Sequence, residues 1–244
     1  MNATANQVDP FRDPLARHVW ESRYRRRGPT GAPETGIEET WARVADALAS
    51  VEPRDRGRVR DDFLAILRDF RFLPGGRILA GAGTDRQVTL FNCFVMGRIE
   101  DSMDGIFEAL REGAITMQQG GGVGYDFSTL RPRGTPARTT GTIASGPVSF
   151  MHVWDAMCAT VLSTGARRGA MMATLRCDHP DIEEFVEAKR ASGALQRFNL
   201  SVGVTDAFLE AVDADADWPL VFPDDAIDTA PAERGPTLSR RWPG

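Results

Sequence analysis

Apolar residues recur at helical spacing in two early segments. Ile37, Trp41, Val44, Ala45 and Leu48 share one face, with Glu38 and Glu39 near its start, and Val59, Phe63, Ile66, Leu67 and Phe70 share another. The pattern predicts two amphipathic helices, the second stopped by Pro74-Gly75-Gly76. Residues 1–35 are polar, interrupted by Pro and Gly, and carry the run Arg23, Tyr24, Arg25, Arg26, Arg27, which reads as a solvated surface. Residues 1–72 are therefore expected to form a helical N-terminal region with no glycine-rich nucleotide loop.

Further along, the period switches back and forth. Val88 to Val95 reads as a strand around Cys93. Ser102 to Met117 reads as a helix with Met103, Ile106, Phe107, Leu110 and Ala114 on one face and Asp101 or Ser102 as its cap. Val123 to Phe127 is a short strand after three glycines. Pro147 to Leu162 is a helix with Met151, Trp154, Cys158 and Val161 on one face. Leu175 sits in a short apolar stretch. Asp178-His179-Pro180 opens a third helix running through Lys189, with Ile182, Phe185 and Val186 inward and Pro180 in its first turn. Phe198 to Val204 is another strand. Strands alternating with helices predict an α/β architecture over residues 73–222. From Ala211 the chain becomes rich in Asp, Ala and Pro, and only Trp218 to Phe222 reads as a strand. Residues 223–244 read as an irregular C-terminal tail.

Composition narrows the function classes. A formal net charge of -5 argues against general affinity for nucleic-acid backbones, so any phosphate binding must be local. No apolar run is long enough to span a bilayer, so no membrane partner is expected. The opening residues lack a basic stretch followed by an apolar one, so a signal peptide is not expected. Cys93, Cys158 and Cys177 are widely spaced, with neither CxxC nor zinc spacing, so no metal site is assigned. Sparse cysteines in odd number suit a reducing cytoplasm.

Four stretches could carry chemistry. The glycines of Gln119 to Gly124 could bring backbone N–H groups close to a ligand, or could simply form a tight helix-to-strand turn. They lack the Lys-Ser/Thr of a P-loop. Ser163 to Met172 sets Arg167 and Arg168 among small residues, which suits either a loop reaching a phosphate or base edge, or a solvated loop. Arg131, Arg133 and Arg138 could hold a triphosphate or lie on the surface. Cys93, in Phe91-Asn92-Cys93-Phe94, matters only if it lines a pocket; otherwise it is a core thiol, as Cys158 and Cys177 read. His18, His152 and His179 share no spacing and receive no catalytic role.

Taken in order, these stretches resemble ribonucleotide reductase large chains. The resemblance is carried by Pro74-Gly75-Gly76-Arg77-Ile78-Leu79-Ala80-Gly81-Ala82-Gly83-Thr84, Asn92-Cys93, Glu100-Asp101-Ser102, GGGVGYDFSTLRPRG from Gly120, TTGTIASGPVSFM from Thr139, ARRGAMMATLRCDHPDIEEFVEAK from Ala166, and FNLSV from Phe198. RRGAMM followed by DHPDI is most similar to the adenosylcobalamin-dependent class.

The resemblance implies reduction of the ribose 2′-OH of a ribonucleotide by thiyl-radical chemistry, in a fold where residues 73–222 supply the first part of a ten-stranded α/β barrel. Cys93 matches the first cysteine of the reducing pair, a thiol donor and then a disulfide partner. Asn92, Gly121 and Gly122 match substrate contacts. Asp101, Ser102, Arg131 and Arg138 match contacts to a deoxynucleotide effector, and Arg168 lies in the loop between effector and substrate. Adenosylcobalamin is the implied cofactor, without identified contact residues, and a thioredoxin-like reductant is the implied partner.

The matches lack the radical-forming cysteine, the Asn and Glu beside it, and the second cysteine of the pair; neither Cys158 nor Cys177 corresponds to any of these. Gly76 stands where family members often carry Ser, which removes one substrate phosphate contact. The chain is thus expected to be inactive alone, either as a split-gene product whose second chain carries the rest of the barrel or as a truncation of a longer protein. The alternative is a non-catalytic nucleotide-binding or interaction module.

Overall fold

A computed structural model describes residues 10–27, 33–136, 141–161, 171–190, 193–222 and 238–240. The chain divides into two compact units, Met1–Asn92 and Cys93–Gly244.

The first unit is helical. α1 (Pro14–Val19) is capped by the Asp13 carboxylate, which accepts the Leu15 N–H at 2.7 Å, and runs into a π-helical turn, Trp20–Tyr24. α2 (Ile37–Ala49) buries the expected Ile37, Trp41, Val44 and Ala45, and Glu38 and Glu39 sit in its first turn, where the helix dipole favours them. α3 (Arg56–Leu67) departs from expectation. Ile66 is exposed, and Phe63, Leu64 and Leu67 pack inward. The helix also stops at Leu67, well before Pro74, because Asp69 and Phe70 take left-handed backbone angles (φ 57° and 55°) in the 3-10 turn that follows.

Pro74-Gly75-Gly76 begins a helix instead of ending one: α4 (Gly76–Gly81) starts there, with the Ile78 N–H bonded to the Gly75 carbonyl at 2.9 Å. A buried ion pair, Arg43–Glu34 at 2.7 Å, ties α4 in. Arg43 also donates to the carbonyls of Leu79 (2.9 Å) and Ala82. Glu34 accepts from the Thr40 hydroxyl (2.7 Å) and the Arg26 N–H (2.9 Å), so both buried charges are satisfied. The basic run is only in part a free surface: Arg23 and Arg27 are exposed. Arg25 stacks on Trp20 and donates to the Glu34 carbonyl, and Arg25 and Arg26 are half-buried.

The second unit is a four-stranded parallel sheet with helices. β1 (Cys93–Val95), β2 (Gly122–Asp126), β3 (Met171–Arg176) and β4 (Phe198–Gly203) lie side by side in chain order. α5 (Met103–Gln118), α6 (Pro147–Thr160) and α7 (Ile182–Glu187) form the crossovers. Crossovers of one hand between sequential strands place their helices on one face of the sheet. That face carries Val123, Tyr125, Met171, Ala173, Leu175 and Phe198, all buried, over Trp154, Met151, Ile106 and Phe185. Phe127 and Trp154 meet edge to face at 5.4 Å, and the buried Tyr125 hydroxyl donates to the Ala109 carbonyl at 2.8 Å. Burial pushes the Tyr125 phenol up to about 12.

Several expected faces shift. α5 buries Ile106, Ala109, Gly113 and Met117, leaving Met103 and Phe107 exposed. α7 spans only Ile182–Glu187, with Pro180 ahead of it, and Val186 is exposed. The strand expected from Val88 shortens to Cys93–Val95. α8 (Asp206–Asp213), capped by Thr205, was not expected. The tail is not wholly irregular either: β5 (Trp218–Leu220) pairs antiparallel with β6 (Leu238–Arg240). Three residues are too few to show a period, and their pairing uses only backbone groups.

Candidate functional site

Side chains alternate across a strand, so the residues between the buried ones point to the other face of the sheet. There stand Cys93, Val95, Gly122, Gly124, Met172, Thr174, Asn199 and Ser201, each exposed or half-buried. No helix among the described residues covers them. Cys93 opens β1 and is exposed, with Gly122 as its neighbour in register. The core reading of this thiol therefore fails, because its place in the alternation aims it at the uncovered face. Cys158 and Cys177 are buried as expected, and burial raises the Cys158 thiol, which disfavours thiolate.

The glycine stretch is a helix-to-strand turn. Gly120 takes φ 93°, and the Gly121 N–H bonds the Thr116 carbonyl at 2.9 Å, closing α5. A Cβ on Gly121 would lie 2.8 Å from both the Phe94 ring and the Thr116 methyl, so only glycine fits. The turn delivers Gly122 beside Cys93 with no side chain between them and the space above the sheet. Asn92, exposed, is the last residue of the first unit and precedes Cys93 directly. In that unit a Cβ on Gly76 would come within 3.0 Å of the Tyr24 ring and hydroxyl, so Tyr24 occupies the space a larger side chain would need.

A second group forms beyond the C-terminal ends of β1 and β2. Arg131 Nε donates to Asp101 Oδ2 at 2.6 Å, and its terminal nitrogen to the Asp101 carbonyl at 3.2 Å. These residues are thirty positions apart in sequence, yet the fold pairs them in a partly buried setting. Two of the five guanidinium N–H donors are used in these bonds. Ser102 caps α5, its Oγ accepting the Gly105 N–H at 3.0 Å. Arg138 and Arg168 lie outside the described residues.

The loop bearing Arg131 is anchored by residues that the sequence did not single out as functional. Ser128 donates to Asp126 (2.6 Å) and accepts the Arg176 N–H (2.9 Å), and Thr129 donates to the Ile99 carbonyl at 2.6 Å. His179 Nε2 lies 2.9 Å from the Leu130 carbonyl. Asp-His-Pro-Asp beside an arginine loop was visible in sequence, but nothing there showed what the imidazole would bond. Among the described residues no group of three His, Cys, Asp or Glu could hold a metal ion, and no helix is long and apolar enough to cross a membrane.

A family model described as "Ribonucleotide reductase, barrel domain" matches residues 91–240, and one described as "Ribonucleotide reductase, all-alpha domain" matches residues 10–87. A Mycobacterium tuberculosis protein named "Vitamin B12-dependent ribonucleoside-diphosphate reductase" is 43% identical over 210 residues, covering 84% of this chain and 30% of that protein. A protein of the same name from Thermoplasma acidophilum is 38% identical over 188 residues, 77% of this chain and 24% of that one. The "Ribonucleoside-diphosphate reductase subunit alpha" of Helicobacter pylori is 27% identical over 226 residues, 89% of this chain and 28% of that one. The chain thus spans less than a third of the length of these relatives. On both domain matches, the chain belongs to the ribonucleotide reductase large-chain family, of which it carries the all-alpha domain and part of the barrel domain.

Proposed function

We propose that this chain is the N-terminal part of an adenosylcobalamin-dependent ribonucleotide reductase, supplying one reducing thiol and the effector-sensing side, and that it does not turn over alone. The observation that carries the reading is the position of Cys93: exposed on the uncovered sheet face, in register with Gly122. There Cys93 and a second thiol would give two hydrogens, one to C2′ and one to the 2′-hydroxyl, which leaves as water, and the two sulfurs, each losing one electron, join as a disulfide. Cys158 and Cys177 are buried, so Cys93 has no exposed thiol partner within this chain. The remainder of the barrel domain would supply that partner and the radical-forming cysteine, and a thioredoxin-like dithiol would regenerate the pair.

In this reading Asn92 and the backbone of Gly121 and Gly122 hold the ribonucleotide. Asp101 and Ser102 meet the base or sugar of a deoxynucleotide effector, Arg131 and Arg138 meet its phosphates, and Arg168 carries the signal onward. The vitamin B12-dependent relatives suggest the cofactor. Among the described residues, the buried His179 is bonded to Leu130 and Asp181 and so is not free to ligate cobalt.

The test mixes the 244-residue chain with a ribonucleotide, adenosylcobalamin and a dithiol, and separately titrates it with deoxynucleoside triphosphates. The expected result is triphosphate binding without deoxyribonucleotide product. Turnover by the chain alone would refute its inactivity, and absence of binding would refute the effector reading.

A further inference from the structure

His179 belongs to the Asp178-His179-Pro180-Asp181 turn between β3 and α7, and is 2% exposed. Its two ring nitrogens have different partners. Nδ1 accepts the Asp181 backbone N–H at 3.0 Å, so it carries no proton. Nε2 must then hold the hydrogen, and it donates to the Leu130 carbonyl at 2.9 Å. Backbone geometry alone thus selects one neutral tautomer. The ring is packed edge-on against Phe222, with centroids 5.5 Å apart.

The Leu130 carbonyl belongs to the peptide group that also holds the Arg131 N–H. Fixing its plane fixes the point from which the Arg131 side chain departs. Leu130 itself is buried in the core. On the far side of Arg131, the Arg133 N–H donates to Asp181 Oδ2 at 2.8 Å. The turn after β3 therefore grips the arginine loop on both sides of Arg131: His179 holds the peptide before it, and Asp181 the backbone after it. Between these grips, the guanidinium meets Asp101 at 2.6 Å.

We propose that His179 is a positioning residue for Arg131: its Nε2–H to the Leu130 carbonyl aims the Arg131 guanidinium at Asp101 and so shapes the effector site. The effector part rests on the reading of Asp101 and Arg131 given above. The positioning part does not.

Two substitutions separate the ring nitrogens. His179→Asn keeps an acceptor near the Nδ1 position and removes the donor to Leu130. His179→Gln keeps a donor near the Nε2 position. The first readout is the Arg131 Nε–H resonance of the 244-residue chain, assigned by its loss in Arg131→Lys. The second is affinity for a fluorescent deoxynucleoside triphosphate.

His179→Asn is expected to shift or broaden the Arg131 resonance and weaken triphosphate binding about tenfold, the size of one lost hydrogen bond, while His179→Gln stays within about twofold of the parent. A folded His179→Asn chain with an unchanged Arg131 resonance would overturn the proposal. If the resonance moves but the parent chain binds no triphosphate, the positioning role stands and the effector reading fails. Should His179→Asn not fold, the ring-nitrogen shifts of the parent chain decide: a protonated Nδ1 would overturn the proposal, and a protonated Nε2 supports it.

Discussion

The two faces of the parallel sheet are made by the same four strands and do opposite work. On the covered face, Val123, Tyr125, Met171, Ala173, Leu175 and Phe198 are buried against helices, and aromatic edges meet at Trp154. At the alternate positions, the other face presents Cys93, Val95, Gly122, Gly124, Met172, Thr174, Asn199 and Ser201. Apart from the exposed Val95, these are small, polar or sulfur-bearing, and Met172 is 43% exposed. The period-two alternation thus places core stability on one side and the exposed Cys93 thiol on the other. A thiol in the core would be held as an inert thiol, as burial does to Cys158.

Substitutions that cross this division should break the comparison unequally. Trp154→Ala empties the centre of the covered face, and should cost about 3–5 kcal/mol in urea unfolding. A loss much below that would mean that the face is not the core it looks to be. Gly121→Ala drives a methyl into the Phe94 ring and Thr116, and should cost about 1–3 kcal/mol, read as a lowered Tm. An unchanged Tm would show that the turn between α5 and β2 can relax.

The rim of the covered face can be probed by pH. Burial lowers the His179 pKa below its ordinary 6.5, although the hydrogen bond to the Leu130 carbonyl and the charges of Asp181 and Asp178 oppose the shift, with Arg176 adding to it. The unfolded chain takes up a proton on this ring before the folded one does. The stabilisation is therefore complete above pH about 6.5 and is lost as pH falls through that value toward the folded pKa. Denaturant midpoints measured from neutral to mildly acid pH should fall in the parent chain, and fall less in His179→Gln. Parallel pH profiles for the two would remove His179 as the source.

The smallest effect belongs to the open face. Met172→Ala should change stability by less than about 0.5 kcal/mol, since its side chain has little packing to lose. A loss of several kcal/mol there would show that the face is covered in solution.

Much of this organisation was legible in the chain. The Ile37, Trp41, Val44, Ala45 stripe, the cap at Ser102, and the Met151, Trp154, Cys158 face all lie as their spacing predicts. The misreadings have physical causes. Pro74-Gly75-Gly76 reads as a helix stop, yet the same residues tolerate the extended backbone ahead of α4, while the true stop is a pair of left-handed residues without glycine. On α5 two apolar stripes lie side by side, and periodicity does not say which one meets the sheet. α8 carries its own signal in the sequence, Thr205 as a cap ahead of Phe208, Leu209 and Val212.

By itself, the sequence determined the types of most elements, the family and the candidate residues, because local periodicity and ordered motifs are written in neighbouring positions. Only the tertiary structure decided that Cys93 faces outward, that Asp101 meets Arg131, and that His179 grips the Leu130 carbonyl. Each of those depends on strand register or on contacts thirty or more residues apart in the chain. In a strand, moving the register by one residue turns every side chain to the opposite face, so the orientation of the thiol is a property of the whole sheet.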